Sequence, residues 1–325
     1  MEAIRSVRAR AVEVPMPKPV ETAAGTLRTT PLVLIDVTTT EGVTGHAYVR
    51  TYTPVAMEPL ARLINSLEPL ANADLYAHFK LLGTQGLTGI AIAGIDMAHH
   101  DAIARTRDVP LVTLLGGEPR PIPAYASLRS MGASAAAEEA EAARAQGFTT
   151  VKMKSGADLA AVRAVRSAVS DLQLMVDFNQ SLTVDQALRL GLDALDLYWI
   201  EEPTRADDYA GHARIRAATS TPLQLGENAW GPNDIEKVAE VSDHVMLDAQ
   251  KVGGVTGWLE AARRTTRPIS SHAFPEISAH LLAVTPTAHL LEYLDHAAPI
   301  LRHPVQVKDG HVLIPDHPGS GIEWR

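Results

Sequence analysis

The hydrophobic and polar pattern of residues 1–50 reads as strands. Val7, Ala9 and Ala11 are separated by Arg8 and Arg10, the pattern of a half-buried strand. The run PLVLIDVTT (31–39), the segment EGVTG and the run HAYV (46–49) predict a hairpin, with Gly42 and Gly45 supplying turn geometry. The stretch PKPVETAAGTLRTT (17–30) is too long for a tight turn and reads as a loop, either a functional lid or disordered. From Pro54 to about Arg107 the pattern turns helical. LTGIAIAGIDMAHHDAIARTR (87–107) predicts a long helix, apolar almost all round and so buried on most sides. Its adjacent His99 and His100 cannot share one face, which predicts one packed and one exposed ring.

Pro110 and Gly116–Gly117 break the chain, and a domain boundary is expected near 118–121. After IPAYASL (122–128), seven short apolar runs each end in a residue able to do chemistry. They are VKMK (151–154), LMVDFN (174–179), LYWIEEP (197–203), PLQLGEN (222–228), HVMLDAQK (244–251), RPISSHAF (267–274) and HLLEYLD (289–295). The corresponding residues are Lys152/Lys154, Asp177, Glu201, Glu227, Asp248, His272 and Glu292, spaced by roughly 20 to 26 positions. That is one strand, one helix and two loops, the repeat of a (β/α) barrel, whose active site lies where the strands end. Between the runs, Ser134 is expected to cap the helix AAAEEAEAARAQ and Gly147 to end it. Leu159, Val162, Val165 and Val169 form one helical stripe, and Thr183 with Gln186 a capping box. The tail HVLIPDHPGSGIEWR is expected to pack back onto the first domain.

At 325 residues the chain suits a barrel plus a smaller domain. A formal net charge of −9 argues against nucleic-acid and anionic-membrane partners. With no cysteine there are neither disulfides nor thiolate ligands. The charged N-terminus does not read as a secretory signal, and no run of about 18 apolar residues is present, so a cytoplasmic location is the default expectation.

Asp177, Glu201 and Glu227 end three consecutive strands. Converging on one cavity they would repel strongly unless a cation lay between them, and an all-oxygen donor set favours Mg²⁺. The other reading makes them N-caps of the following helices. Glu202 must point away from Glu201, which gives it a supporting role. Lys152 and Lys154 share one face of a strand. Buried side by side they would depress each other's pKa, so that one becomes a general base, or they balance the acids as ion-pairing lysines. Asp248 and His272, one unit apart, form a second acid/base, with the aspartate raising the histidine pKa and fixing its tautomer. Glu292 reads either as a protonated hydrogen-bond donor to an oxyanion or as one more ligand-like or capping carboxylate. Asn179, on the same face as Asp177, can donate to substrate or support the metal site.

The strings TPLVLIDV, AGIDMA, VKMKSG, MVDFNQSL, WIEEPT, LGEN, KVGGVTGW, SSHAFPEISAHLLA and TPTAHLLE resemble the enolase superfamily, mandelate racemase subgroup, across nearly the whole chain. The resemblance implies an α/β fold: a (β/α)7β modified TIM barrel (119–309) with an N-terminal α+β capping domain (1–118, joined by 310–325). It implies Mg²⁺ on Asp177, Glu201 and Glu227, binding the substrate carboxylate and stabilising an enediolate. Lys154 would be the base for one enantiomer, with Lys152 beside it on the carboxylate, and His272–Asp248 would serve the other. Glu292, Asn179 and Ser127 would complete the substrate shell, and the enzyme would be a homo-oligomer. The departures lie in the specificity region: Arg50 stands where the family has an aromatic residue, Tyr52 remains, and Ala273 replaces a leucine. A guanidinium there needs an oxygen or carboxylate partner. The expectation is racemisation of a 2-hydroxy acid more polar than mandelate, with acid-sugar dehydration to a 2-keto acid as the alternative.

Overall fold

The computed structural model describes residues 2–22 and 25–325, with the Thr22 side chain left aside. Three antiparallel strands, β1 (Ile4–Thr22), β2 (Gly25–Thr39) and β3 (Thr44–Arg50), form the first sheet. In β1 the side chains of Val7 and Val14 are buried while Arg8 and Arg10 are exposed, so the alternation seen in the sequence is the pleat of the strand. The hairpin β2–β3 turns at Gly42, whose φ of +90° suits a residue without Cβ.

Residues 17–22 and 25–30 do not form a loop; Ala23 and Ala24 of the expected loop lie outside the described residues. Pairing of β1 with β2 resumes at Val20↔Leu27 and runs to Thr22↔Gly25, so the segment is a two-stranded ribbon extending from the sheet. The register breaks between Pro15 and Val20, a stretch holding Pro17 and Pro19 as well as Pro15. Proline has no N–H to give a ladder, which is why the sequence there does not read as a strand.

Against this sheet packs the helix Leu87–Thr106, in which fourteen residues are buried, as its all-round apolar pattern predicts. His99 and His100 are both half-buried rather than divided between core and solvent. One is hydrogen-bonded to the Glu2 carbonyl and the other to Asp96, so each ring found its own polar partner.

Eight parallel strands close into a barrel: β4 (Ile122–Ser127), β5 (Thr150–Lys154), β6 (Gln173–Asp177), β7 (Leu197–Glu201), β8 (Leu223–Leu225), β9 (His244–Asp248), β10 (Ile269–His272) and β11 (Ala288–Tyr293). The last pairs with the first through Leu291↔Ala124 to Tyr293↔Ala126. Tyr125, Met175, Trp199, Met246 and Leu290 fill the barrel interior, so it is packed and not a pore. The expected helix stripe is buried at Leu159, Val162, Val165 and Val169. The Thr183–Gln186 capping box is formed in both directions. Gly147 follows its helix at φ +85°, but the N-cap there is Gly132. Ser134 lies inside the first turn and donates to Glu138 one turn on, a local bond that competed with capping.

After the short hairpin β12 (Gln306–Lys308) and β13 (His311–Leu313), the chain end returns to the first sheet and its helix. Buried Asp101 accepts from the backbone N–H groups of His46 and Ser320 and from Arg105 Nε. Trp324 Nε1 donates to Asp36.

Candidate active site

The polar residues converge at one mouth of the barrel because they sit in or just beyond the carboxyl-terminal part of their strands. Asp177, Glu201 and Glu227 are all buried and offer carboxylate oxygens within 4.8 Å of one another. Glu227 follows Gly226, whose φ is +127° and where a Cβ would lie 2.5 Å from the Met246 carbonyl oxygen. Only glycine lets β8 turn this close to β9 and deliver the third acid.

Lys152 Nζ donates to Glu201 Oε1 at 2.7 Å and pairs with Glu292 Oε1 at 2.9 Å, while Lys154 Nζ donates to Asp177 Oδ2 at 3.2 Å. The charge of Lys152 does push Lys154 down, as the spacing predicts, but it is outweighed. Burial pushes each down, yet for Lys152 the charges of Glu201 and Glu292, and for Lys154 that of Asp177, outweigh it and hold both above the ordinary lysine range. Glu292 shifts in the opposite direction from a carboxyl held protonated by burial. Against the upward push of burial, Lys152 and His272 hold it well below the usual carboxylate range, and it accepts from the Ala273 N–H at 3.1 Å. Burial raises Glu201 to about 8, with Lys152 opposing and Asp177 and Glu227 adding repulsion. Three acids crowded within 4.8 Å fit a site built for a divalent cation, and oxygen-only donors fit Mg²⁺.

On the other side, His272 Nδ1 lies 2.7 Å from Asp248 Oδ2, and its Nε2 is 3.2 Å from Glu227 Oε2. Burial lowers the His272 pKa, but Glu227 and Asp248 win and raise it above the ordinary value. Asp248 also accepts the Tyr52 hydroxyl at 3.2 Å, and that hydroxyl accepts from Gln250 Nε2. Asn179 supports Asp177 through its N–H at 2.7 Å and its side-chain amide at 2.8 Å. Asn179, Glu202, Ala273 and Tyr52 all have φ between 37° and 58°. Such left-handed backbone at non-glycine residues costs about 1–3 kcal/mol each and collects where geometry is dictated by function.

Ser127, Lys154, Asn179, Glu227, His272 and Glu292 line a single cavity of about 500 Å³. Its far wall is apolar: Met16, Val20 and Leu27 from the ribbon, Leu87 and Ile90 from the long helix. The ribbon is fastened to the barrel by Glu21 N–H to the Arg129 carbonyl and by Met131 N–H to Glu21 Oε2, both at 2.7 Å. Arg50 also lines the cavity, its guanidinium 5.0 Å from the Tyr52 ring centroid.

Sequence reasoning missed Asn228 and Lys251. Lys251 Nζ donates to Asn228 Oδ1 at 2.6 Å, and Asn228 Nδ2 donates to both Glu202 (2.7 Å) and Glu227 (3.1 Å), so a lysine in the cavity lining steadies the third acid. Both lie inside the motifs LGEN and KVGG, but neither stands at a strand end in the spacing. Glu202 is where alternation put it, behind the ring, and burial with Glu227 and Asp177 nearby raises it well above the carboxylate range.

A closed parallel barrel lies under an antiparallel cap, with acids, lysines and an Asp–His pair at one mouth, the layout of a barrel enzyme. Residues 4–116 match the N-terminal domain of the mandelate racemase / muconate lactonizing enzyme family, and residues 135–325 match the enolase C-terminal domain-like family. The chain belongs to that family and is an enzyme of the enolase superfamily, mandelate racemase subgroup. It is similar to an enolase from Bradyrhizobium crystallised with magnesium and mandelic acid: 43% identity, TM-score 0.92, 99% of this chain and 96% of the other. It is also similar to an L-talarate dehydratase from Polaromonas sp. JS666, complexed with Mg and L-glucarate, at 25% identity and TM-score 0.88 over 100% and 96% of the two chains. The L-talarate/galactarate dehydratase of Salmonella typhimurium is 31% identical over 79% of this chain and 69% of its own length.

Proposed function

We propose that the enzyme removes the proton α to a carboxylate and returns it on either face, racemising a 2-hydroxy acid. The observation that carries this reading is two proton-transfer groups, Lys154 and the Asp248-held His272, lining one cavity beside three buried acids. They come from β5 and β10, separate strands of the same ring. Asp177, Glu201 and Glu227 would hold a magnesium ion, which would supply positive charge for the substrate carboxylate and offset the Asp177 charge beside Lys154. Lys154 then takes the proton from one face and His272 returns one on the other, with Asp248 on Nδ1 leaving Nε2 toward the substrate. Lys152, fixed between Glu201 and Glu292, offers its remaining N–H to the carboxylate, and Ser127 lies on the neighbouring strand in register with it. Asn179 holds Asp177 in place.

A second reading uses the same first step and then expels a 3-hydroxyl with acid help from His272. Arg50, a guanidinium in the cavity wall, favours a polar substrate, and two of the similar proteins are named as dehydratases. Incubation with Mg²⁺ in D₂O decides between them. Racemisation gives deuterium at the α carbon with loss of optical activity, and dehydration gives a 2-keto acid. Under racemisation, Lys154→Ala abolishes exchange from one enantiomer and spares part of it from the other. Equal loss from both would rule out the two-base arrangement.

A further inference from the structure

The cavity holds two guanidinium groups with opposite fates. Arg129 is committed, its Nη2 bonded to Asp295 and its Nη1 donating to the Lys18 carbonyl at 2.7 Å. Arg50 has no carboxylate partner among the described residues. Its backbone N–H is pinned to Gln250 Oε1 at 2.8 Å, so the residue is fixed where β3 meets the barrel. Its side chain lies over Tyr52, and its Nε is buried without a hydrogen-bond partner. Facing the same cavity is His296, just past the end of β11, only 7% exposed and with Nδ1 buried and unpartnered. Burial, then the charges of Arg50 and Arg129, keep this ring neutral, so it offers one N–H and one acceptor and adds no repulsion.

A buried polar group without a partner costs about 1–3 kcal/mol, and more when it is charged. A site that leaves Arg50 Nε and His296 Nδ1 in this condition is completed by an anion with two oxygens, the shape a planar N–H fork accepts. We propose that Arg50 and His296 form a second carboxylate subsite, separate from the metal-side carboxylate position, and that the substrate is therefore a 2-hydroxy dicarboxylic acid. This extends the proton-abstraction reading above, from which it takes the position of the first carboxylate. The apolar wall of Met16, Val20 and Leu27 packs against the carbon chain between the two charged ends.

The test uses the Mg²⁺-loaded enzyme and three probes: malate, 2-hydroxyglutarate and 2-hydroxybutyrate, the last carrying a methyl group in place of the second carboxylate of malate. Binding is read by calorimetry and α-proton exchange by NMR in D₂O. The diacids bind at least about 10-fold more tightly than 2-hydroxybutyrate, the contribution of one charge-assisted pair. Arg50→Met lowers that diacid-to-monoacid ratio by about 10- to 100-fold, and His296→Phe lowers it several-fold. Measuring a ratio removes any common effect of misfolding. An unchanged ratio in Arg50→Met, or equal binding of diacid and monoacid by the wild type, overturns the subsite. Arg50-dependent diacid binding with no exchange from any acid supports the subsite and removes the racemase reading. Exchange that is equally efficient with 2-hydroxybutyrate and malate does the reverse.

Discussion

Replacing Lys152 with methionine isolates one buried charge from everything else at the site. The ammonium is 1% exposed and touches two carboxylates, Glu201 at 2.7 Å and Glu292 at 2.9 Å. Methionine keeps much of the volume, so the loss is electrostatic. Removing one partner of a buried pair costs about 3–5 kcal/mol, because the remaining charge is left uncompensated. With an unfolding entropy of about 2.1 cal/mol/K per residue, a 325-residue chain changes by about 0.7 kcal/mol per kelvin. The expected fall in Tm is therefore about 4–7 °C in EDTA at pH 8. The pH dependence has a definite sign. Glu292 is held low by Lys152, so in the wild type its contribution is present above the unfolded carboxyl pKa and is lost as pH falls through the folded value. In the mutant the charge that holds Glu292 low is gone and Glu292 can take up a proton, so the gap between the proteins narrows toward pH 5. Urea unfolding of both proteins at pH 8 and pH 5 measures it. A gap under about 1 kcal/mol at pH 8, or one that does not change with pH, would refute the view that this lysine is bound by charge.

Four other outcomes follow. Glu276 is buried beside the Tyr48 hydroxyl, and burial raises its carboxyl to about 7; its protonated form favours the fold below about pH 4.5, and that stability drains away as pH rises to about 7. Glu276→Gln should flatten this window and stabilise the protein at pH 8 by up to about 3 kcal/mol, read from urea midpoints. Mg²⁺ at about 100 times its Kd should add about 2.7 kcal/mol of stability, and Asp177→Asn should abolish most of that gain in a thermal melt. Asp248→Asn, which removes the charge beside His272 Nδ1, should slow exchange from the His272-dependent enantiomer by about 10²–10⁴-fold with far less effect on the other. Thr183→Ala breaks the reciprocal capping box and should cost about 1 kcal/mol in urea, with kinetics untouched.

The barrel and most of its ring were legible because strand and helix lengths impose a period that residues such as Asp177, Glu201 and Asp248 mark at one end. The helix Leu87–Thr106 and the Thr183 box were legible for a related reason, since each rests on contacts within a few residues. The ribbon was not, because its prolines erase the local strand signal while pairing is restored by residues across the turn. Ser134 failed as a cap for a comparably local reason: a bond to Glu138 was as close as the helix end.

By itself the sequence determined which residue types stand at each strand end, and so the chemistry available. Only the tertiary structure decided their charge states. Lys152, Lys154 and Glu292 titrate according to neighbours on other strands, and the strand-end spacing does not say which acid lies 2.7 Å from which amine. Nor does it say that Lys251 donates to Asn228, or that Arg50 and His296 line one cavity. Coulomb energy and desolvation depend on distance and dielectric in three dimensions, and folding is what sets both.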